Sequence, residues 1–196
     1  MKNPLKSLYN WVLSWAEKPG GEVALYSLAF TEASFFPVPP DPLLIAFCLS
    51  KPNRSLNFAL FTTIFSVIGG IFGYLIGFAL FEIVGKPILD FYHYWDAYNN
   101  VKGLFDTYGF AALLIAGFTP IPYKVFTIAS GSLYFNFPLF VLASVISRGA
   151  RFFLVSVIMF FFGKPAREFI DKYFDLLSLA FVVLLVVGFL VIKYAL

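Results

Sequence analysis

Apolar residues run through this chain in long blocks, and the points where the blocks break carry most of the information. Residues 21–50 are apolar but interrupted by Phe36-Pro37-Val38-Pro39-Pro40-Asp41-Pro42. Proline removes a backbone donor and its ring clashes with the preceding turn, so no continuous helix passes through that segment. The pattern predicts a helix, a break and a shorter helix, hairpin 1, over 21–50. Broken backbone at membrane depth is stable only where protein or water covers it, which favours a re-entrant hairpin packed inside the molecule. A single kinked span is the alternative.

Residues 55–83 form an unbroken span in which Gly69, Gly73 and Gly77 recur every four positions. They line one face and are expected to let another helix approach closely. After Gly85-Lys86-Pro87, the residues Ile88, Phe91, Tyr92, Trp95, Tyr98 and Phe105 fall at helical spacing, with Asp90, Asp96, Lys102 and Asp106 mostly elsewhere on the wheel. That predicts an amphipathic helix over 87–108 lying along the membrane surface. His93 sits on it without a partner nearby in sequence and reads as solvated. A second broken segment, hairpin 2 over 109–133, is interrupted by Thr119-Pro120-Ile121-Pro122-Tyr123-Lys124 and closed by Gly131. Spans over 137–162 and 174–195 follow. Residues 1–20, with Trp11 and Trp15 among Lys2, Lys6 and Lys18, lack a cleavable signal pattern and read as an interfacial amphipathic helix.

The two halves repeat. Each has a proline-rich break, a span and a Gly-Lys-Pro, at 85–87 and again at 163–165. If each unit is a hairpin plus one span, an odd number of crossings separates the hairpins, which must enter from opposite faces. The expected fold is therefore an all-α integral membrane protein. It is an inverted repeat of two re-entrant helical hairpins, each followed by a transmembrane helix, with an interfacial helix and a C-terminal transmembrane helix added.

Composition agrees: 60% of the 196 residues are hydrophobic and 13% charged, and mean hydropathy is +0.85. A soluble domain of this size could not bury so much apolar surface. The net charge of +3 is too small and scattered for nucleic-acid binding. Lys2, Lys6, Lys18, Lys51, Arg54, Lys164, Arg167 and Lys172 fall on one face, against Lys86, Lys102 and Lys193 on the other, which marks the first as cytoplasmic. The single cysteine, Cys48, excludes an intrachain disulfide and a multi-cysteine metal site.

Five ionisable residues lie within apolar segments: Glu32, Asp41, Lys124, Arg148 and Arg151. A charge at helix-centre depth costs about 2.5 to 3.5 kcal/mol on insertion scales, so they should face inward and neutralise one another. Arg148 and Arg151 share a helix face. If the hairpin tips meet near the midplane, Asp41 and Lys124 approach each other and that arginine face. Two acids against three bases leave one positive charge, which suits an anionic head group held by arginine forks. Lys124, Arg148 and Arg151 are the expected substrate-binding residues, and Glu32 and Asp41 the expected proton-coupling pair. Pro37, Pro39, Pro40, Pro120 and Pro122 make the hairpin breaks; Gly69, Gly73, Gly77 and Gly131 serve packing. No metal cluster, cofactor motif or nucleophile elbow is present in the sequence, and no enzymatic activity is expected.

Glu32 ahead of the Phe36–Asp41 break, the glycine-rich Gly73-Tyr74-Leu75-Ile76-Gly77 and the second break before Gly131 resemble the DedA family. This is the bacterial branch of the VTT-domain, or SNARE-associated Golgi protein, superfamily. The resemblance spans roughly residues 24–163. It implies two opposed re-entrant hairpins and movement of lipids between leaflets of the bacterial inner membrane, undecaprenyl phosphate or phosphatidylethanolamine among them, with coupling to protons. Glu32 and Asp41 match the family's hairpin acids, and Lys124 stands where better-known members have arginine. Those members carry a further arginine just before the second break. This chain has Gly117-Phe118-Thr119 there, so it resembles a divergent, YqaA-like branch in which Arg148 and Arg151 compensate. The expected function is translocation of a phosphate-bearing lipid. A proton- or cation-coupled solute transporter and a non-transporting membrane scaffold are the alternatives.

Overall fold

The computed structural model describes residues 20–119 and 121–163 together with Ser14, Lys18 and Pro165. Most of the interfacial helix expected over 1–20, Pro120, Lys164 and the span expected over 174–195 lie outside the described residues.

All regular structure among the described residues is helical. Helix α1 is Gly21–Ser34 and α2 is Asp41–Ser50, joined through the proline-rich break. After a short 3-10 turn at Pro52–Arg54 comes α3, Ser55–Leu80. A π-turn at Phe81–Gly85 leads into α4, Lys86–Tyr92. Next are α5, Trp95–Phe118, and α6, Tyr123–Ser132. The last is α7, Phe137–Gly163. Three helical stretches are long and apolar enough to cross a membrane: Pro52–Tyr92, Trp95–Phe118 and Phe137–Gly163.

Local chemistry explains the ends. Helix α1 stops before Pro37, and α2 restarts with Pro42 in its first turn, where a missing N–H costs nothing. Helix α7 starts where the Asn136 side chain accepts the Leu139 N–H at 3.0 Å, an N-cap reinforced by Pro138.

Two expected boundaries are corrected. The Gly85-Lys86-Pro87 sequence does not end the span that begins at 55; helix continues through it to Tyr92. The wider π-turn absorbs the bond and the space that a proline takes from an α-helix. The real stop is His93, exposed and in the left-handed conformation at φ 56. Nor does an interfacial helix end at Tyr108 before a separate hairpin arm. Helix α5 is continuous from Trp95 to Phe118 because Gly109, Leu113, Ala116 and Gly117 extend one buried face along its second half. No proline interrupts it.

Helix α3 is the spine. Phe30 of α1 lies against Gly69, Ala33 of α1 and Thr127 of α6 against Gly73, and Ile128 against Gly77. From the other side, Gly131 of α6 lies against the Tyr74 carbonyl. A Cβ at Gly69, Gly77 or Gly131 would run into partner backbone, which cannot yield as a side-chain end can. Gly77→Val is therefore expected to destabilise the fold by about 1–3 kcal/mol, the usual cost of overpacking. Thermal unfolding in detergent checks it, and an unchanged midpoint would contradict the close approach.

Contacts fix the helix directions. Glu22 at the start of α1 takes both Arg54 guanidinium nitrogens, at 2.7 and 3.1 Å, so α1 and α3 start at the same end. Helix α7 runs back: Phe137 packs edge-on against Tyr74, Arg148 reaches Ser66 and Gly163 ends near Leu49. At the far end of α3, Glu82 holds Lys86 at 2.8 Å and accepts the Tyr134 hydroxyl. Tyr98 of α5 stacks on Phe81 there and donates to the Ser132 carbonyl at 2.9 Å.

Two apolar clusters flank the middle of the molecule. Leu25, Leu44, Phe47, Phe58 and Phe152 fill the α1–α2 side; Leu113, Phe135 and Phe140 fill the α5–α6 side. The outward face of α3 is apolar too, with Leu60, Phe61, Ile64, Ile68 and Phe72 exposed. A continuous exposed apolar face of this kind marks a surface for lipid or for another protein.

Candidate functional site

Between the two apolar clusters lies a belt of charge supplied by both breaks and by α7. Its inner part is one buried pair. Arg148 leaves 3% of its side chain exposed and donates from Nη2 to Glu32 at 2.7 Å and from Nε to the Ser66 hydroxyl at 2.8 Å. The guanidinium also lies over the rings of Tyr123 and Phe152, at 5.1 and 4.6 Å from their centroids. Tyr123 is itself fully buried and its hydroxyl donates to Ser144. A pair this deep contributes little net stability against the cost of drying two charges, but it defines how α1, α3, α6 and α7 fit together.

The outer part joins the two breaks. Arg151, one turn along α7, makes a two-pronged pair with Asp41, Nε to Oδ1 at 2.9 Å and Nη2 to Oδ2 at 3.0 Å. Its remaining Nη1 donates to the carbonyls of Thr119 at 2.6 Å and Phe118 at 3.2 Å. One side chain thus holds the first turn of α2 and the last turn of α5. In the reverse direction, Lys124 of α6 donates to the Phe36 carbonyl of the first break at 3.2 Å. The two-pronged Arg151–Asp41 pair follows from planar guanidinium geometry, whose donors form a fixed fork matched to carboxylate. Arg151 and Asp41 keep 18% and 17% of their side chains accessible.

All five ionisable residues picked from the sequence meet in this belt, though in a different pairing. Asp41 faces Arg151, and Lys124 faces a carbonyl. Arg148 and Arg151, expected as one anion-binding face, divide between two acids. Among the described residues Lys124 forms no ion pair. Pro37 and Pro39 lie in the exposed break, Pro40 is buried behind it, and Pro122 immediately precedes α6.

Ser66, Tyr123 and the carbonyls of Phe36, Phe118 and Thr119 were not picked out beforehand. Ser66 lies three residues before Gly69 on the stripe of small residues, and Tyr123 adjoins Lys124; both signals are present, but neither residue type is distinctive in an apolar helix. Among the described residues no cluster of His, Cys, Asp and Glu could hold a metal ion. A cavity of about 410 Å³ between α3 and α7, lined by Leu60, Ile64, Val67, Val145 and Phe153 among others, contains no ionisable group and lies outside the belt.

No family model matches the chain, and no solved structure matches it. An uncharacterized protein of Haemophilus influenzae is 35% identical to it over 187 residues, covering 95% of this chain and 97% of that protein. The uncharacterized protein HI0703 homolog of Histophilus somni is 33% identical over 187 residues, with the same coverage.

Proposed function

The chain belongs to the same family as the two proteins from Haemophilus influenzae and Histophilus somni, and we propose that it moves a phosphate-bearing lipid between membrane leaflets. The observation that carries this reading is the junction of the two breaks, where Arg151 and Lys124 bridge the hairpins and Lys124 has no carboxylate partner among the described residues.

The proposal includes a topology. Helices α1, α2 and α6 have 14, 10 and 10 residues, about 21, 15 and 15 Å at the helical rise. A hydrocarbon core is about 30 Å thick. Arms that short fit re-entrant hairpins better than complete spans. The fourth arm, α5, has 24 residues, about 36 Å at the same rise, and its polar Trp95 end extends beyond the core. The opposed directions of α3 and α7 support hairpins entering from opposite faces, an inverted repeat whose tips meet at mid-depth. The same reading makes the chain a multi-pass protein of the bacterial inner membrane. The likeness of Glu32, the first break and the Gly73–Gly77 segment to the DedA pattern supports membership of that family, which is part of the proposal.

In this mechanism the head group takes its place at the junction. Phe35, Phe36 and Val38 in the first break and Phe118 and Ile121 in the second are exposed, so the charged junction has an apolar margin open to acyl chains. A phosphate has to replace Asp41 on the Arg151 fork, since both want the same donors. A proton on Asp41 removes that competition and frees the fork, which gives proton coupling a physical basis. Glu32 retains its arginine throughout and acts as the fixed counter-ion. The Lys124 and Arg151 contacts that bridge the breaks are the ones the phosphate replaces, so lipid binding and separation of the hairpin tips become one event.

Reconstitution tests it. Purified protein in liposomes is expected to accelerate the leaflet exchange of labelled phosphatidylethanolamine, or of undecaprenyl phosphate at a pH below its second pKa, by about tenfold or more over protein-free vesicles, a barrier change of roughly 1.4 kcal/mol. Uptake of protons or of a small solute without lipid movement would refute the lipid reading.

A further inference from the structure

The charge pattern of the junction discriminates between kinds of phosphate. We infer that this site takes a singly charged phosphodiester head group in preference to a doubly charged phosphomonoester, an inference that rests on the lipid-phosphate reading above.

Glu32 and Arg148 cancel in formal charge, and so do Asp41 and Arg151. Lys124 alone is uncompensated among the described ionisable residues of the belt, with only the Phe36 carbonyl as acceptor. The junction therefore carries one positive charge.

Helix dipoles leave that count almost unchanged. Four helix ends meet at the breaks: α1 and α5 bring C-termini, α2 and α6 bring N-termini. Each end is equivalent to roughly half an elementary charge, so two of each sign offset one another. The ends are also unequally occupied. Arg151 sits on the carbonyls ending α5, Lys124 on a carbonyl just beyond α1, and Asp41 in the first turn of α2. The N-terminus of α6 has no side-chain cap and begins with Tyr123 and Lys124. An anion beside Lys124 meets the first-turn N–H groups of α6 as well as the ammonium.

A phosphodiester that docks beside Lys124, with Asp41 still on the Arg151 fork, brings one negative charge and neutralises the junction before the fork is exchanged. A phosphomonoester at neutral pH carries about −1.5 to −2, its second pKa being near 6. It would leave an unbalanced negative charge at a depth where charge is costly. It fits only when it brings a second proton, or when a proton resides on Asp41. Diester recognition is therefore built into the resting charge state, and monoester recognition depends on pH.

The test uses two lipids with identical dioctanoyl chains, phosphatidylglycerol as the diester and phosphatidate as the monoester, titrated into the detergent-purified full-length chain. At about pH 8 the diester is expected to bind about tenfold more tightly; at about pH 5.5, below the second phosphate pKa, the gap should close. Lys124→Met should weaken diester binding by about tenfold or more, and Lys124→Arg should restore it. Phosphatidate binding as tightly as phosphatidylglycerol at the higher pH overturns the charge inference but leaves the lipid reading standing. The same holds for a folded Lys124→Met chain that binds the diester like the unaltered protein. Failure of both lipids to bind the unaltered chain overturns the lipid-phosphate reading and this inference with it.

Discussion

Arg148→Met is expected to lose a large part of the stability of the fold. The substitution removes the donor to Ser66, the partner of Glu32 and the cation over Tyr123 and Phe152 in one step. What remains is a carboxylate with 11% of its side chain accessible and no counter-ion. Removing one member of a buried pair costs about 3–5 kcal/mol, a large part of the 5–15 kcal/mol roughly available to a folded domain. Glu32→Gln in the same chain should recover much of the loss, because the stranded charge disappears with it. Melting of the two single variants and the double variant in one detergent completes the cycle. If Arg148→Met melts with the unaltered protein, the pair does not hold α1 to α7 as described.

That pair also marks where sequence reasoning succeeds and where it stops. The breaks were legible because proline acts locally: Pro37, Pro39 and Pro40 crowd into four positions, and each removes a backbone donor. The glycine stripe was legible because Gly69, Gly73 and Gly77 share one face by spacing alone. The five charges stood out because the bilayer makes each one expensive. Their partners were not legible. Whether Asp41 meets Lys124 or Arg151 depends on how far α7 slides along the hairpins, a distance set by Phe140, Phe152 and the small residues between them, and by no motif. The run of helix past Pro87 was hidden for a related reason. A π-turn at Phe81–Gly85 makes room for the proline, and its side-chain ties, Glu82 to Lys86 and Tyr134, include one from a loop far along the chain.

Function turns on the second arginine, where the expected effect is on rate and not on folding. Arg151→Lys keeps the positive charge, and the partly accessible Asp41 is not stranded as Glu32 would be. A lysine ammonium is a single point of charge and cannot grip two carboxylate oxygens while also reaching the Thr119 carbonyl. The junction should lose its defined geometry, and translocation should fall by about tenfold to a hundredfold, roughly 1.4 to 2.7 kcal/mol in the barrier, with the melting temperature little changed. Liposome exchange rates and detergent melts, made on the same preparation, separate the two effects. Asp41→Asn probes the same fork from the other side. With the competing carboxylate gone, Arg151 is free for phosphate, so binding should tighten while the response to an imposed proton gradient disappears. A fully active Arg151→Lys chain would remove the guanidinium from the mechanism. An Asp41→Asn chain that still answers the gradient would move proton coupling to Glu32, whose arginine would then have to let go during transport.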